Sequence, residues 1–287
     1  MTLIKPEVII TSGFSYSSYN IEFKERNNKV HIIKIEQNKN DNLTLLISKT
    51  SEAINPLTDN NHIGDGASIN DILKKQDGIR FIINAGFNHY RKNFYYWPNN
   101  KFNIGDPVGL VKIRKHLFDD RLNKENYGYF SQFLKSSEWK ISDDDSYLTN
   151  YKYVLGCTPK LIIDYKPISI PNEIPVNQNE INPPSYLGHA NQIHPRTAVG
   201  IKNNTIYFVV VENNISGNGG CTLEELQSIG LELKLNSFLN LDGGGSSQFK
   251  IFKDNKEISN FIHSDDTNRV LGHTFILFDE TLKKNLQ

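Results

Sequence analysis

The chain has 287 residues, enough to bury the core of one large domain or two small ones. Its 38% hydrophobic and 11% aromatic content is typical of a globular protein and argues against disorder. Lysine plus arginine equals aspartate plus glutamate at 32 each, a balance that gives no support for nucleic acid or a polybasic membrane contact. No segment has the apolar length of a membrane-spanning helix, so we expect neither nucleic acid nor a membrane as partner.

The N-terminal residues and the cysteines bear on location. Residues 1–7 lack the basic start and apolar run of a signal peptide. The default expectation is therefore a cytoplasmic protein, with a secreted form that has lost its leader left open. Cys157 and Cys221 are too few for a disulfide scaffold, and we expect free thiols in preference to one bridge.

The N-terminal third has the pattern of strands separated by asparagine-rich breaks. Apolar, β-prone segments predict strands at residues 30–36, 43–48 and 80–84. Ser68 precedes Ile69 and Ile72, which predicts a short helix capped by that serine. We treat residues 1–29 as a lead-in to the main domain.

Two stretches in the middle of the chain have the composition of insertions. Residues 119–150 are polar and aromatic, which favours a solvated surface segment. Residues 171–193 are rich in proline and asparagine, which predicts a long irregular loop. Loops of that length inside a compact domain often serve as lids or binding loops.

The C-terminal part has the most regular pattern. Strands are predicted at residues 205–211, 237–241, 248–252 and 273–278. Thr222 and Glu225 have the spacing of a capping box, which places a helix N-terminus at Thr222. Hairpin-like strands with few helices predict an α+β fold, with one domain over residues 30–287.

The strongest chemical signal is the segment from Asn240 to Ser247. Three consecutive glycines follow Asp242 at the end of a short apolar strand, a position that suits a catalytic carboxylate. Glycine lets a ligand approach the backbone, and successive N–H groups can favour an anion. The alternative is a tight turn that Asp242 merely caps. The segment lacks the lysine of a nucleotide phosphate loop, and Gln248 replaces the third glycine of a dinucleotide fingerprint.

Two further positions suit ligand binding. Arg196 stands at a loop–strand junction, where its guanidinium could bind a phosphate or carboxylate or form only a surface salt bridge. The adjacent His194 is either a general acid–base group or an exposed loop histidine. Asn84 ends a predicted strand before Gly86, where it would bind a substrate hydroxyl or form an Asx-type turn.

The order of these segments resembles the phosphodiester glycosidase family over residues 30–279. The matching pieces are Asn84-Ala85-Gly86-Phe87, residues 156–162, 196–200, 220–226 and 240–247, and Arg269 near the end. The chain departs from the family pattern at Glu212, where an aspartate is usual, and at Cys221, where an apolar residue is usual. The two insertion-like stretches also look like additions, and these departures affect the substrate more than the reaction.

The resemblance implies a hydrolase that cleaves between a sugar's anomeric carbon and a phosphodiester oxygen. A carboxylate would stabilise the cationic transition state, and an arginine would bind the departing phosphate. We assign Asp242 as that carboxylate, acting as nucleophile or base, with Glu212 as the second carboxylate and Arg196 as the phosphate ligand. The implied substrate contacts are Asn84, Gly86, Thr197, Asn240, Gly243, Gly244, Gly245, Ser246 and Arg269.

No cofactor is expected. His189 and His194 lie five residues apart without acidic ligands of useful spacing, and a divalent cation near Asp242 has no support in the sequence. The expected partner is a small molecule or glycan that carries a glycosyl phosphodiester. The alternatives are a metal-dependent phosphodiesterase that attacks phosphorus, and a carbohydrate-binding protein without activity.

Overall fold

The computed structural model describes residues 2–24, 26–39, 42–49, 67–88, 107–119, 126–144, 146, 148–170, 189–212, 219–262, 269 and 271–281. The strands in these ranges are β1 Thr2–Thr11, β2 Phe14–Phe23, β3 Arg26–Glu36, β4 Leu43–Lys49, β5 Ile79–Asn84, β6 Leu110–Ile113, β7 His116–Asp119, β8 Gly128–Phe133, β9 Trp139–Ser142, β10 Tyr151–Cys157, β11 Lys160–Ile163, β12 Lys166–Pro167, β13 Arg196–Lys202, β14 Thr205–Val211, β15 Ser237–Asn240, β16 Gln248–Lys253, β17 Lys256–Ile262 and β18 His273–Asp279. The α-helices are α1 Ile69–Leu73 and α2 Leu223–Glu232.

The strands form three antiparallel sheets. The large sheet has eight strands in the order β1-β2-β3-β14-β13-β15-β11-β12. The β10 sheet has the order β7-β6-β10-β8-β9, and the β5 sheet has the order β17-β16-β5-β18-β4. The predicted α+β class is wrong: this is a β-rich fold, and the two helices of the described residues only cover sheet faces.

One hydrophobic core joins the three sheets. Phe208 of the large sheet, Phe130 of the β10 sheet and Phe275 of the β5 sheet are all completely buried. The Phe275 ring centroid lies 5.2 Å from that of Phe208 and 5.4 Å from that of Phe130. Aromatic side chains of this size remove roughly 150–250 Å² each from water, so this contact contributes strongly to holding the sheets together.

Each helix packs its apolar side on the outer face of a sheet. In α1, Ile69 and Ile72 pack in one cluster with residues of the β5 sheet, and Ser68 accepts a hydrogen bond from the Asp71 N–H, as predicted for its cap. In α2, Leu226 and Ile229 pack against the large sheet. No helix in the described ranges is long and apolar enough to cross a membrane.

The segment taken as a solvated insertion contributes to the core. Its described part contains β8 and β9, and Phe130 and Trp139 stack at a centroid distance of 4.5 Å, both buried. The solvated interpretation is wrong for these residues: serine and glutamine make the sequence of β8 look polar, but Ser131 and Gln132 are themselves buried. Whether residues 119–150 are an addition to the family stays a prediction, and residues 171–188 lie outside the described ranges.

Candidate active site

The glycine-rich segment lies where the large sheet meets the β5 sheet. After β15, the Leu241 N–H donates to the Thr197 carbonyl at 2.9 Å, which continues the large sheet. The next N–H, that of Asp242, donates to the Ala85 carbonyl at 3.1 Å. Ala85 follows β5, so the ends of β13, β15 and β5 converge on Asp242.

Asn84 is the polar centre of this junction. Its Nδ2 donates to the Asp242 carbonyl at 2.8 Å. Its Oδ1 accepts from the Thr197 hydroxyl at 3.0 Å and from the Gln248 N–H at 3.1 Å. Thr197 Oγ1 also lies 3.1 Å from Ser247 Oγ. The Asn84 and Thr197 side chains, both predicted to contact substrate, are therefore buried and hold the backbone around Asp242 in place.

The Asp242 carboxyl is held from within its own loop. The Ser246 hydroxyl and the Gly243 N–H both bond to it, and the Arg269 guanidinium lies close enough to attract it. Burial is the dominant influence and raises the pKa of Asp242 to about 6, although these three groups favour the charged form. A carboxyl with a pKa near neutral suits acid–base or nucleophilic work.

The three glycines mainly shape the backbone of the loop, although their N–H groups were predicted to bind an anion. Gly244 has a φ of 56° and begins a 3₁₀ turn over Gly244–Ser246. Its N–H donates to the Pro195 carbonyl at 2.8 Å. Because the Gly243 N–H is directed to the Asp242 carboxyl, two of the three N–H groups are committed to protein oxygens.

Arg196 supports the loop that precedes it. Its Nε donates to the Cys221 carbonyl at 3.0 Å, and its Nη2 donates to the carbonyls of His189 at 2.6 Å and Gln192 at 2.8 Å. The residue is only 6% exposed. Three backbone partners give this guanidinium a structural function, and its predicted phosphate contact stays a prediction.

Arg269 is the guanidinium nearest to Asp242 among the predicted residues. Its Nη2 lies 3.4 Å from Ser246 Oγ. A Cβ placed on Gly245 would come within 3.3 Å of Arg269 Nη1, so a glycine here lets the guanidinium approach the loop backbone closely. The structure thus brings together Asp242, Ser246, Gly245 and Arg269, whereas the Arg196 guanidinium donates to the carbonyls of Cys221, His189 and Gln192.

Sequence reasoning missed a histidine behind the site. His273 Nε2 accepts the Gly86 N–H at 3.0 Å, and burial lowers the pKa of His273 to about 4, so the ring is neutral at pH 7. A Cβ on Gly86 would lie 2.9 Å from both His273 Nε2 and the Cys157 thiol. Gly86 is therefore needed for close packing.

Cys157 and Cys221 are both free, as predicted, and burial raises the pKa of each thiol.

Several buried polar atoms near the junction have no hydrogen-bond partner in the described part of the chain. Gln248, beside Asn84, has neither amide atom paired although the residue is 1% exposed. Asn240 Oδ1 and Thr274 Oγ1 are also buried without a hydrogen-bond partner among the described residues. The Asn240 amide nitrogen is used, since it donates to the Thr158 carbonyl at 2.9 Å. Such atoms are costly to bury unpaired, which indicates that water or a ligand group bonds to them.

Glu212, the predicted second carboxylate, lies at the same end of the large sheet as Asp242. It follows β14, whose last residue pairs with Arg196 of β13. Its carboxylate pairs with His31 Nε2 and, at 3.2 Å, with Lys29 Nζ. Burial by itself would raise the pKa of Glu212, but the hydrogen bonds and charges of these partners hold it below its ordinary value.

The two loop histidines bond to one glutamine. His189 Nδ1 lies 2.8 Å and His194 Nε2 3.0 Å from Gln192 Oε1. Within the described ranges, no three histidine, cysteine, aspartate or glutamate side chains are grouped to hold a metal ion. The expected lack of a cofactor stays a prediction.

The phosphodiester glycosidase family model matches residues 77–278, which include every site residue described above except His31 and Lys29. The chain belongs to this family. The match begins later than the predicted resemblance, which started at residue 30. No curated protein matches the chain at a significant level.

Solved structures show the same fold. The catalytic domain of zebrafish N-acetylglucosamine-1-phosphodiester alpha-N-acetylglucosaminidase, auto-inhibited by its propeptide, aligns with a TM-score of 0.60 and 13% identity. The alignment covers 97% of this chain and 88% of the zebrafish chain. A hypothetical protein from Synechocystis aligns with a TM-score of 0.58 and 13% identity, over 93% of this chain and 62% of the other. The chain thus spans less than two thirds of the Synechocystis protein.

Proposed function

We propose that this protein hydrolyses a glycosyl phosphodiester between the anomeric carbon and the phosphodiester oxygen. Membership of the phosphodiester glycosidase family supports a hydrolase that acts on this class of substrate. The observation that carries the finer proposal is the Asp242 carboxyl, which stands at a junction of two sheets beside Ser246 and Arg269.

Asp242 is the group we place at the anomeric carbon. Its backbone is fixed from both sides, by Ala85 and by the Asn84 side chain. Fixed geometry matters because a displacement of about 1 Å at a reacting centre can reduce the rate by about 100-fold. The carboxylate would stabilise positive charge on the sugar ring as nucleophile or base, and Glu212 would be the second carboxylate.

Arg269 is our choice for the phosphate ligand in place of Arg196. The three carbonyls that Arg196 binds leave its Nε and Nη2 committed to the protein. Arg269 lies instead beside Ser246 and Gly245, close enough to attract the Asp242 carboxylate. A guanidinium in this position would stabilise the phosphate monoester as the bond to the sugar breaks.

The unpaired polar atoms support a sugar-binding role for neighbouring residues. Gln248 has a buried amide with a donor and an acceptor unused within the described residues. Sugar hydroxyl and amide groups both donate and accept, so they match an amide of this kind. Asn240 Oδ1 would contribute one further acceptor.

The experiment is hydrolysis of a panel of glycosyl-1-phosphodiesters in H₂¹⁸O, with mass analysis of both products. We expect a free reducing sugar that carries ¹⁸O at the anomeric carbon, together with an unlabelled phosphate monoester. Label in the phosphate would show attack at phosphorus and refute the proposal. Binding of the panel without any turnover would favour the non-catalytic alternative.

A further inference from the structure

A hydrogen-bonded chain of three side chains crosses the interior of the large sheet. Tyr16 of β2 has its hydroxyl 2.8 Å from His31 Nδ1, and His31 of β3 directly bonds Glu212 through Nε2. Tyr16 is 2% exposed and His31 is completely buried. Glu212, the last of the three hydrogen-bonded side chains, keeps 21% of its side chain exposed. The three side chains thus connect the core to a carboxylate at the surface.

Aromatic rings fix the orientation of the imidazole. The Phe249 ring meets His31 edge-on at a centroid distance of 4.8 Å, and the Tyr16 ring stacks on it at 5.9 Å. Phe261 stacks at 6.3 Å. These contacts come from β16, β2 and β17, so three strands besides its own determine where the imidazole points. A buried histidine with both nitrogens bonded and its ring packed in this way is a rigid support for its partner.

Both hydrogen bonds of His31 can form whether its ring is neutral or charged. An ionised carboxylate only accepts, so His31 Nε2 carries a proton in either state. Nδ1 then accepts from the Tyr16 hydroxyl when the ring is neutral and donates to the same oxygen when the ring is charged. The charged groups that face Glu212 are His31 and Lys29 on β3, with Tyr16 on β2 behind His31.

The hydrogen-bonded series of Tyr16, His31 and Glu212 ends close to the proposed reaction centre. Val210 pairs with His31 on one side and with Thr197 on the other, so these three residues form one row across the large sheet. Thr197 bonds to Asn84, which holds Asp242. One strand, β13, separates the backbones of Glu212 and Asp242, a distance of roughly 10 Å at two strand spacings. The two carboxylates therefore follow strands that end at the same edge of the large sheet, with one strand between them.

We propose that His31, supported by Tyr16, is a positioning residue that keeps the Glu212 carboxylate ionised and correctly oriented for the reaction. This rests on the proposed function, in which Glu212 is the second carboxylate. Its role differs from that of Lys29, whose side chain is 40% exposed and reaches the same oxygen from the surface. A buried, oriented partner determines geometry, whereas an exposed lysine contributes mainly screened charge.

The kinetic test compares His31→Gln with Tyr16→Phe, which removes only a hydroxyl and keeps the ring, and with the control Lys29→Gln. The measured quantity is the ratio of kcat/KM in the wild type to that in each variant, from pH 8 down to pH 5. Without His31, Glu212 binds a proton at higher pH and is no longer the ionised carboxylate that the reaction needs. The ratio for His31→Gln should therefore increase about 10-fold or more as the pH falls from 8 to 5. Because each variant retains Asp242, the titration of Asp242 largely cancels in the ratio.

We expect the ratio for Tyr16→Phe to change in the same direction by less, and the ratio for Lys29→Gln to change much less than that for His31→Gln, because the charge of Lys29 is exposed and screened. A ratio that stays constant with pH in both His31→Gln and Tyr16→Phe would overturn the proposal, since a merely structural loss is not pH-dependent. If His31→Gln does not fold, Tyr16→Phe alone decides between these outcomes.

A measurement without substrate separates this inference from the proposed function. In the wild-type protein, the proton on His31 Nε2 should give a downfield NMR signal, assigned by its loss in Glu212→Gln and its retention in Lys29→Gln. Absence of that signal overturns the inference even if glycosyl phosphodiesters are hydrolysed. The reverse result, a clear signal in a protein with no hydrolase activity, would refute the proposed function and with it the positioning role.

Discussion

Asn84 Nδ2 donates a hydrogen bond of 2.8 Å to the main-chain carbonyl of Asp242, 158 residues further along the chain. This bond connects the last residue of β5 to the loop that follows β15, and therefore one sheet to another. It explains why an asparagine is required before Ala85: a side chain that both donates and accepts can bridge Asp242, Thr197 and Gln248 at once.

Replacing Asn84 by alanine should damage both stability and activity. The change leaves buried partners unpaired, and we expect a loss of about 2–3 kcal/mol in the free energy of unfolding. Turnover in the folded fraction should fall because Asp242 loses its support. The control is Asn236→Ala, just before β15 and so at the other end of the strand that leads to Asp242, where Asn236 Oδ1 accepts from the exposed Asn203 N–H. Unchanged turnover in folded Asn84→Ala protein would contradict the supporting role.

Asp242→Asn should reduce turnover by at least about 100-fold, the scale of a lost electrostatic stabiliser. Near-normal turnover in the folded variant would remove the central assignment. The same change should increase stability at pH 7, because burial of the carboxyl raises its pKa to about 6 and so penalises the charged form in the folded state.

The sign of this stability effect can be measured against pH. The folded protein binds the Asp242 proton more tightly than the unfolded chain does, so its stability decreases as the pH rises from about 4 to about 6. Asp242→Asn removes this contribution. Relative to the wild type, it should be more stable by on the order of 2 kcal/mol at pH 7 and about equal near pH 4. Denaturant melts at these two pH values test this, and equal stabilities at pH 7 would contradict it.

The two arginines should respond differently to charge on the substrate. Arg269→Gln should reduce activity on a glycosyl phosphodiester by about 100-fold and leave an uncharged aryl glycoside, if accepted, much less affected. Arg196→Lys cannot restore the three carbonyl contacts and should lower the melting temperature, with equal losses on both substrates. A charge-selective loss in Arg196→Lys would restore the phosphate role predicted from sequence.

Gln248→Met tests the unpaired amide. The side chains are similar in length, and methionine buries no polar atom, so the free protein should become more stable by about 1 kcal/mol. Substrate binding should weaken, with KM increased about 10-fold. Loss of stability with an unchanged KM would show that the Gln248 amide serves the protein interior and not the sugar.

Mutations in the cap of α2 should change stability and leave activity unchanged. Thr222 Oγ1 accepts the Glu225 N–H, and the Glu225 carboxylate accepts the Thr222 N–H at 2.9 Å, which confirms the predicted capping box. Glu225 also pairs with Arg26 at 2.6 Å. Thr222→Ala should cost about 1 kcal/mol. Glu225→Gln keeps the cap but weakens the ion pair, so its cost should be similar. Lost turnover with a normal melt in Glu225→Gln would move this residue into the active site.

Local patterns in the sequence determined the elements whose residues carry a complete signal. The segment Thr205–Val211 is a strand with the predicted bounds, since β-branched and aromatic residues fill it without interruption. The capping residues Ser68 and Thr222 begin their helices because the hydrogen bonds of a cap are made within four residues. Asp242 was also singled out from a local pattern, a carboxylate before three glycines, and its catalytic role stays a prediction.

Only the tertiary structure decided the class of the fold and the partners of the site residues. Strands such as β2 and β8 contain serine, glutamine and tyrosine, and they are buried because other sheets cover them. Arg196 was predicted to bind phosphate, and only the structure shows that its guanidinium donates to the carbonyls of His189, Gln192 and Cys221. The pairing of His31 with Glu212 spans 181 residues, and a hydrogen bond over that distance leaves no periodic trace in the chain.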